Sequence, residues 1–362
     1  MNVDRLDIQS FRCYAYASVK FHPHITILSG DNAQGKTSIL EALAMFTYGR
    51  SFRAGSDREV IRFGDPEARL RMSFSGEAGA QEMGMRIAKK GKSVSINRVS
   101  KKSLSEFLGR FQAVVFTPDD LRLVKDGPEH RRRFLNLTLA QLRPPYIAQL
   151  QIYNRLLQQR NQLLKTHQFS SLPVWDDQLA PAGASVAKAR AEFVAELQPY
   201  VQQSYQTIAG AADSMNIAYQ AGFANQGSSS YESALRNELS RARAGDEKRG
   251  FTSTGPHRDD LAITFNKMTA VYASQGQQKT AVLAVKLAVA RWIRQATGEH
   301  PVLLLDDVLS ELDLARQNNL LLALEGAQVI LTLTHGHESL RRIAPDAQVF
   351  RVADGIILAQ EG

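Results

Sequence analysis

The stretch His24-Ile-Thr-Ile-Leu-Ser-Gly30-Asp-Asn-Ala-Gln-Gly35-Lys36-Thr37-Ser38-Ile-Leu-Glu-Ala-Leu43 decides the fold. It reads as a strand, a glycine-bounded loop and a helix, and it fits the P-loop pattern G-x-x-x-x-G-K-[ST]. Each residue type has a physical reason. Gly30 and Gly35 lack Cβ, so the backbone can turn tightly and approach a ligand closely. The N–H groups of Gly30, Asp31, Asn32, Ala33, Gln34, Gly35 and Ser38 would form a concave anion site at a helix N-terminus. Lys36 supplies a positive charge for β- and γ-phosphates, and the Thr37 hydroxyl is a ligand for Mg²⁺. Ile25, Ile27 and Leu28 before the loop, and Ile39, Leu40, Leu43 and Ala44 after it, supply the strand and helix that the motif needs.

A P-loop ATPase also needs a carboxylate at the end of a neighbouring buried strand. Pro301-Val-Leu-Leu-Leu305-Asp306-Asp307 supplies one, at the strand end where α/β sheets bind ligands. Asp306 is the metal-side candidate, and Asp307 the candidate base or water-positioning group. Lys36 and Asp306 stand near opposite ends of the chain, yet their strands must be neighbours. The expected core is therefore split, with a lobe inserted between its halves. Domain boundaries follow: an N-terminal half over 1–115, a helical lobe over 116–299 and a C-terminal half over 300–362.

Composition sets the frame. The chain has 362 residues, 44 Lys and Arg against 36 Asp and Glu, and a pI of about 9.5, which is compatible with a polyanionic partner. Its single cysteine, Cys13, excludes an intrachain disulfide framework and a cysteine-based zinc site, and reads as packed. The first residues carry charges and no apolar run, and no apolar stretch is long enough to span a bilayer. A cytoplasmic chain with no membrane segment is expected.

Alternation over 3–8 and 17–21 predicts strands, and glycine-punctuated β segments near 69–75, 84–88 and 93–97 predict a small antiparallel sheet. Seven basic residues and no acidic one fall between Arg86 and Lys102, among them Lys89, Lys90 and Lys92. Unopposed charges on short strands suit phosphate contact, although a solvated hairpin face fits them too. Arg131, Arg132 and Arg133 cannot share one helix face; one or two face a partner or a carboxylate. Residues 128–245 read as helical, with Pro173 and Pro181 as breaks. Tyr272-Ala-Ser274-Gln275-Gly276-Gln277-Gln278-Lys279-Thr280 leads into a long helix over 281–296 that Ser274 can cap, giving a second helix N-terminus able to bind phosphate. Ser310-Glu-Leu-Asp313 follows the carboxylate strand, and the next strand ends at His335, placed to sense a γ-phosphate.

The P-loop, the S-Q-G-Q-Q run, the L-L-L-D-D strand, the S-E-L-D loop and His335 resemble the ABC/SMC-type ATPases. The stretch Thr252-Ser-Thr-Gly255-Pro-His-Arg-Asp-Asp260-Leu and the opening Asp7-Ile-Gln-Ser-Phe-Arg-Cys-Tyr14 are similar to the RecF family within that class, over essentially the whole chain. The resemblance implies an α/β ATPase core, made of a mixed sheet plus an antiparallel β subdomain, with an inserted helical lobe. It implies ATP held between two copies with Mg²⁺, Ser274 to Gln278 of one copy meeting the γ-phosphate on the other's Lys36. It further implies an ATP-dependent homodimer that closes on single-strand/double-strand gapped DNA, opens on slow DNA-stimulated hydrolysis, and works with RecR and RecO in loading a recombinase. Two departures stand out. Asp307 occupies a position where this ATPase type has Glu, and the run is S-Q-G-Q-Q rather than S-G-G-Q. No glutamine follows the strand ending at Phe116, and Gly255–Asp260 has no derivable role. A DNA-cleaving relative would carry an acidic domain after the ATPase, for which the short stretch beyond His335 leaves no room. A transporter ATPase subunit fits poorly with the basic charge and the helical insert.

Overall fold

The computed structural model describes residues 1–209, 214–223, 230–266, 268–334 and 346–359. The chain divides into two compact units. One comprises Met1–Asp120, Ser204–Gly210 and Leu283–Gly362, the other Leu121–Gln203 and Ala211–Val282.

The first unit is built on two sheets. β1 (Asn2–Phe11), β2 (Tyr14–Lys20), β4 (Glu67–Gly76), β5 (Gly79–Ala88), β6 (Gly91–Ile96) and β7 (Val99–Ser100) form an antiparallel sheet in the order β2-β1-β4-β5-β6-β7. Its strands alternate as half-buried strands should: Ala68, Leu70, Met72 and Phe74 of β4 are buried while Arg69 and Arg71 are exposed. The second sheet has the order β15-β14-β3-β13-β12-β8. It takes β3 (Ile25–Ser29), β8 (Ala113–Phe116), β12 (Val302–Asp306), β13 (Val329–Leu333), β14 (Gln348–Ala353) and β15 (Ile356–Ala359). All its pairings are parallel except β14 with β15. β8, β12 and β13 are buried at every position, the continuous apolar pattern of a parallel sheet covered on both faces. α1 (Lys36–Tyr48) follows β3 and is buried from Ser38 through Thr47; it ends at Gly49, whose φ of 68° closes the helix in the left-handed region. The short α2 (Leu104–Phe107) and α9 (Leu314–Ala323) also belong to this unit.

The second unit holds the short α3 (Arg122–Lys125), α4 (Pro128–Leu142), α5 (Pro144–Lys165), most of α6 (Leu172–Ala209) and α7 (Tyr231–Arg249). Pro128 and Pro144 sit at helix starts, where a missing N–H costs nothing. Three sequence expectations need correction here. Residues 128–245 are not all helical: β9 (Met215–Gln220) pairs with β10 (Asp260–Phe265), which pairs with β11 (Met268–Thr269), in a three-stranded sheet. The partner of β9 comes only after α7, so no local pattern marks the strand. Pro173 and Pro181 do not break the chain. Pro173 falls in the first turn of α6, and Pro181 and Pro199 lie inside it, where burial of Leu179, Ala180, Ala184, Val186 and Ala187 holds the helix through a lost hydrogen bond. Finally, α8 begins at Gln275 rather than near 281 and runs to Thr297.

Candidate functional site

The register of the core sheet assembles the nucleotide edge. Leu331 stands opposite both Ile27 and Leu305, and Thr332 opposite both Leu28 and Asp306, so β3 and β12 flank β13 and end together at the P-loop side. There Thr37 donates from Oγ1 to Asp306 Oδ1 at 2.7 Å, across 269 residues of sequence. Thr332 Oγ1 donates to the same oxygen at 2.9 Å and accepts from the Asp307 N–H at 2.9 Å. One hydroxyl on β13 thus holds the Asp306 carboxylate and the Asp307 backbone. Burial pushes the Asp306 pKa up, against the hydrogen bonds from Thr37 and Thr332 that pull it down. Burial likewise lowers Lys36, while Asp307, Asp306 and Asp31 pull it back up. The Lys36 ammonium donates to the carbonyls of Gly30 at 2.5 Å and Asp31 at 2.6 Å, which folds it over the loop.

Asp307 is the anomaly of this edge. Its φ is 51°, a left-handed conformation that a residue with a Cβ adopts at a cost of about 1–2 kcal/mol. Its Oδ1 is buried with no hydrogen-bond partner. Strain and an unsatisfied carboxylate oxygen in one residue fit a group held for chemistry rather than for packing.

The cleft above these groups has a volume of about 380 Å³ and is lined by the loop from Asn32 to Ser38, with Asp306, Asp307, Thr332, Cys13 and Arg53. Two glycines permit it. A Cβ on Gly30 (φ 147°) would lie 2.2 Å from the Val352 carbonyl oxygen, and one on Gly35 (φ 112°) 2.7 Å from Cys13 Sγ. Cys13 is therefore not simply packed: it is exposed, at the wall of the cleft. Arg53 was not legible from any motif. Ser51 Oγ accepts from the Arg53 and Ala54 N–H groups, and Ser51 in turn donates to Glu41, a fully buried carboxylate that also takes a two-point contact from Arg12. That chain of contacts fixes the backbone turn carrying Arg53, whose charge acts on Asp306. The donor set suits a hard divalent cation. Two oxygens, Thr37 Oγ1 and Asp306, face one cleft. Among the described residues no cluster of three His, Cys, Asp or Glu side chains occurs, so a cation here would complete its shell with phosphate and water oxygens.

Gln112 lies at the far end of this architecture: its carbonyl meets the Val302 N–H at the start of the β8–β12 pairing, away from the cleft, and Pro118 occupies the lining position after β8. His335 falls outside the described residues.

In the second unit the Ser274 run has a definite form. Ser274 Oγ accepts from the Gln277 N–H at 3.3 Å and Gln277 Oε1 accepts from the Ser274 N–H at 3.0 Å, a reciprocal capping box at the start of α8. Gln275 and Gly276 occupy the first helical positions. Met268, Val271 and Tyr272 just before it are exposed to 65%, 46% and 85%.

The Gly255–Asp260 stretch proves to be the hub of this unit. Asp259, fully buried, accepts from Arg190 at 2.6 Å, Tyr219 at 2.5 Å and the Gly222 N–H at 2.7 Å. Arg190 donates further to the Pro256 carbonyl, the Tyr146 hydroxyl and Asn136. His257 Nε2 faces the Thr252 carbonyl at 2.9 Å and so carries the proton, leaving Nδ1 to accept from the Tyr153 hydroxyl at 2.7 Å. Beside this, Arg160, fully buried, pairs with Asp176 and Asp246. Arg131 is committed to Asp260 and to the carbonyls of Leu123 and Asp126, and Arg132 donates to the Asp259 carbonyl. Of the basic residues singled out in the sequence, Arg131 and Arg132 therefore serve the lobe's own framework. Lys92 pairs with Asp57 at 2.5 Å and caps the Gly49 carbonyl, because the hairpin folds it back onto the end of α1. Lys89 and Lys90 remain exposed.

A P-loop and its carboxylate strand, split by most of the chain and rejoined in one sheet, define an ATPase of the ABC/SMC type. The chain belongs to the RecF/RecN/SMC N-terminal domain family, whose model matches residues 2–357, and within it to the RecF proteins. It is 36% identical over 365 residues to the DNA replication and repair protein RecF of Streptococcus thermophilus, covering 100% of both chains. To the protein of that name from Lachnoclostridium phytofermentans it is 37% identical, covering 99% of each. A solved structure of the recombination mediator protein RecF with ATP in the RecFOR pathway superposes with a TM-score of 0.90 at 30% identity, over 99% of this chain and 98% of that one. An Smc head domain from Pyrococcus furiosus shares the fold at 14% identity and a TM-score of 0.57, over 99% of this chain and 96% of that one.

Proposed function

We propose that this chain is an ATP-controlled DNA-binding switch of recombinational repair. Two copies close on single-strand/double-strand gapped DNA when each binds ATP with Mg²⁺, and slow, DNA-stimulated hydrolysis releases them. RecR, with RecO, is the proposed partner in preparing such DNA for a recombinase. The observation that carries the reading is the 2.7 Å contact of Thr37 with Asp306 beneath a P-loop, next to an Asp307 whose buried oxygen has no partner. Mg²⁺, when bound, neutralises charge developing on the β- and γ-phosphates. Thr37 and Asp306 hold it, Lys36 and the loop N–H groups from Gly30 to Ser38 orient the phosphates, and Asp307 positions water and accepts its proton. His335 is assigned the γ-phosphate side. Asp307 is one methylene shorter than glutamate, which favours the slow turnover of a switch.

Ser274, Gln275, Gly276 and Gln277 carry the second half of the site. Their helix N-terminus is flanked by exposed Met268, Val271 and Tyr272, an apolar apron suited to burial against another copy. Lys89 and Lys90 are assigned to DNA. The test is sedimentation of the purified protein with and without ATP–Mg²⁺ and a gapped duplex. The reading requires a monomer that dimerises only with ATP and binds DNA more tightly as a dimer. A chain that stays monomeric with both ligands refutes it.

A further inference from the structure

The outward face of the antiparallel sheet carries more organised charge than the hairpin that the sequence singled out. Strand register sets its residues in rows: Gln9, Arg69 and Arg86 in one, and Asp7, Arg71 and Gly84 in the next. Arg5 and Arg98 border them, and the whole lines a groove of about 540 Å³. Neighbouring rows lie about 7 Å apart and neighbouring strands about 5 Å, so each guanidinium can meet a different phosphate.

Three details mark the face as built. Glu67 forks between Arg69 and Arg86, its pKa held to about 2 first by Arg86 and then by Arg69, and so sets the pose of both guanidiniums. Arg71 has no ion pair or hydrogen bond among the described residues, although it stands in the middle of the sheet opposite Gly84. A Cβ on Gly84 would lie 2.6 Å from Ser95 Oγ, so glycine keeps the floor beside Arg71 open. Arg98 sits at the tip of the β6–β7 turn with φ 65°, where the turn favours glycine. Its side chain is 83% exposed and reaches Glu82 at 3.4 Å, which leaves most of the guanidinium turned to solvent.

We infer that this face binds the backbone of duplex DNA, the double-stranded arm of a gapped substrate. The inference rests on the reading under Proposed function and names a surface that reading lacks. Single strands are held by stacking on rows of aromatics, and this face has only Tyr16, at its edge. An acidic protein would need an apolar anchor point, and the apolar residues along this groove, Ile8, Leu70, Met85 and Val94, are buried. Five guanidiniums on one sheet, four of them beside carboxylates (Arg5 at Asp7, Arg69 and Arg86 at Glu67, Arg98 at Glu82) and Arg71 with none among the described residues, suit phosphates of fixed spacing.

The experiment is fluorescence anisotropy of a blunt duplex and a single strand of equal length, with ATP–Mg²⁺, across salt concentrations. For the combined variant Arg71→Glu, Arg86→Glu, Arg98→Glu, duplex affinity should fall at least about 30-fold. The slope of log affinity against log salt should flatten by about 3, while single-strand affinity changes less than about 3-fold. Arg71→Gln alone, which removes one charge and no packing, should flatten the slope by about 1 and keeps the test readable if the combined variant misfolds. A variant of equal charge change elsewhere, Lys165→Glu, Lys188→Glu, Lys248→Glu, is the comparison. Equal loss in both combined variants would mean that net charge alone matters and would overturn the inference. So would duplex binding at the wild-type level, or loss of poly-glutamate binding in place of duplex binding. A wild type that binds no duplex with ATP would bring down the proposed function itself.

Discussion

At Asp307 the backbone and the side chain tell one story. The residue adopts φ 51° and leaves Oδ1 buried without a partner, while its neighbour Asp306 is hydrogen-bonded twice. The two carboxylates are chemically alike, and their surroundings separate them: Asp306 Oδ1 accepts from two hydroxyls, while Asp307 Oδ1 keeps no partner, the difference on which the proposed roles of ligand and base rest. Asp307→Asn should bind ATP within about 3-fold of the wild type and hydrolyse it at least about 100-fold more slowly, measured by equilibrium titration and phosphate release. A matching loss of ATP affinity would make Asp307 a binding residue instead. This pair was legible because a P-loop and an apolar strand ending in Asp-Asp are local patterns of charge and hydropathy. Arg53 was not, since its placement depends on the chain Arg12–Glu41–Ser51, whose members are scattered over a strand end, a helix and a loop and carry no joint signature.

At the scale of elements, α8 and the Gly255–Asp260 hub diverge most from what the sequence suggested. The capping box between Ser274 and Gln277 starts the helix at Gln275, ahead of its apolar run, which puts the S-Q-G-Q-Q run into a first helical turn instead of a loop. The hub was opaque because its contacts join residues 69, 127 and 129 positions apart. Its energetics are those of a buried ion pair, where removing one partner costs more than removing both. Arg190→Met should therefore destabilise the protein by about 3–5 kcal/mol in urea denaturation, and adding Asp259→Leu should recover part of that. The same network makes an acid-sensitive element. Burial lowers His257 from 6.5 to about 4. Its contribution is complete above pH 6.5, where both states are neutral, and is lost as pH falls toward 4, because only the unfolded chain takes up the proton. About 3 kcal/mol is at stake over that window. His257→Gln should flatten the stability–pH curve between the two pKa values relative to the wild type; parallel curves would exclude this role.

For the whole molecule, the decisive property is that the two halves of a nucleotide site are separated by most of the chain, a fact read directly from the positions of Lys36 and Asp306. In the proposed ATP-bound pair, the Ser274 helix start of one copy reaches the nucleotide of the other. Ser274→Arg should leave ATP binding by a single copy within about 2-fold of the wild type and abolish ATP-dependent dimerisation in sedimentation. Normal dimerisation would remove Ser274 from the interface. The split has a further consequence, in the order of synthesis. β3 lies between β13 and β14, so both of its hydrogen-bonding edges await strands made near the end of the chain. At about 5–20 residues per second, roughly 15–60 s separate the strand from its partners on the ribosome. For that time Ile25–Ser29, with three apolar residues in five, is a strand with both edges open and able to pair wrongly, until β14 is completed at Ala353.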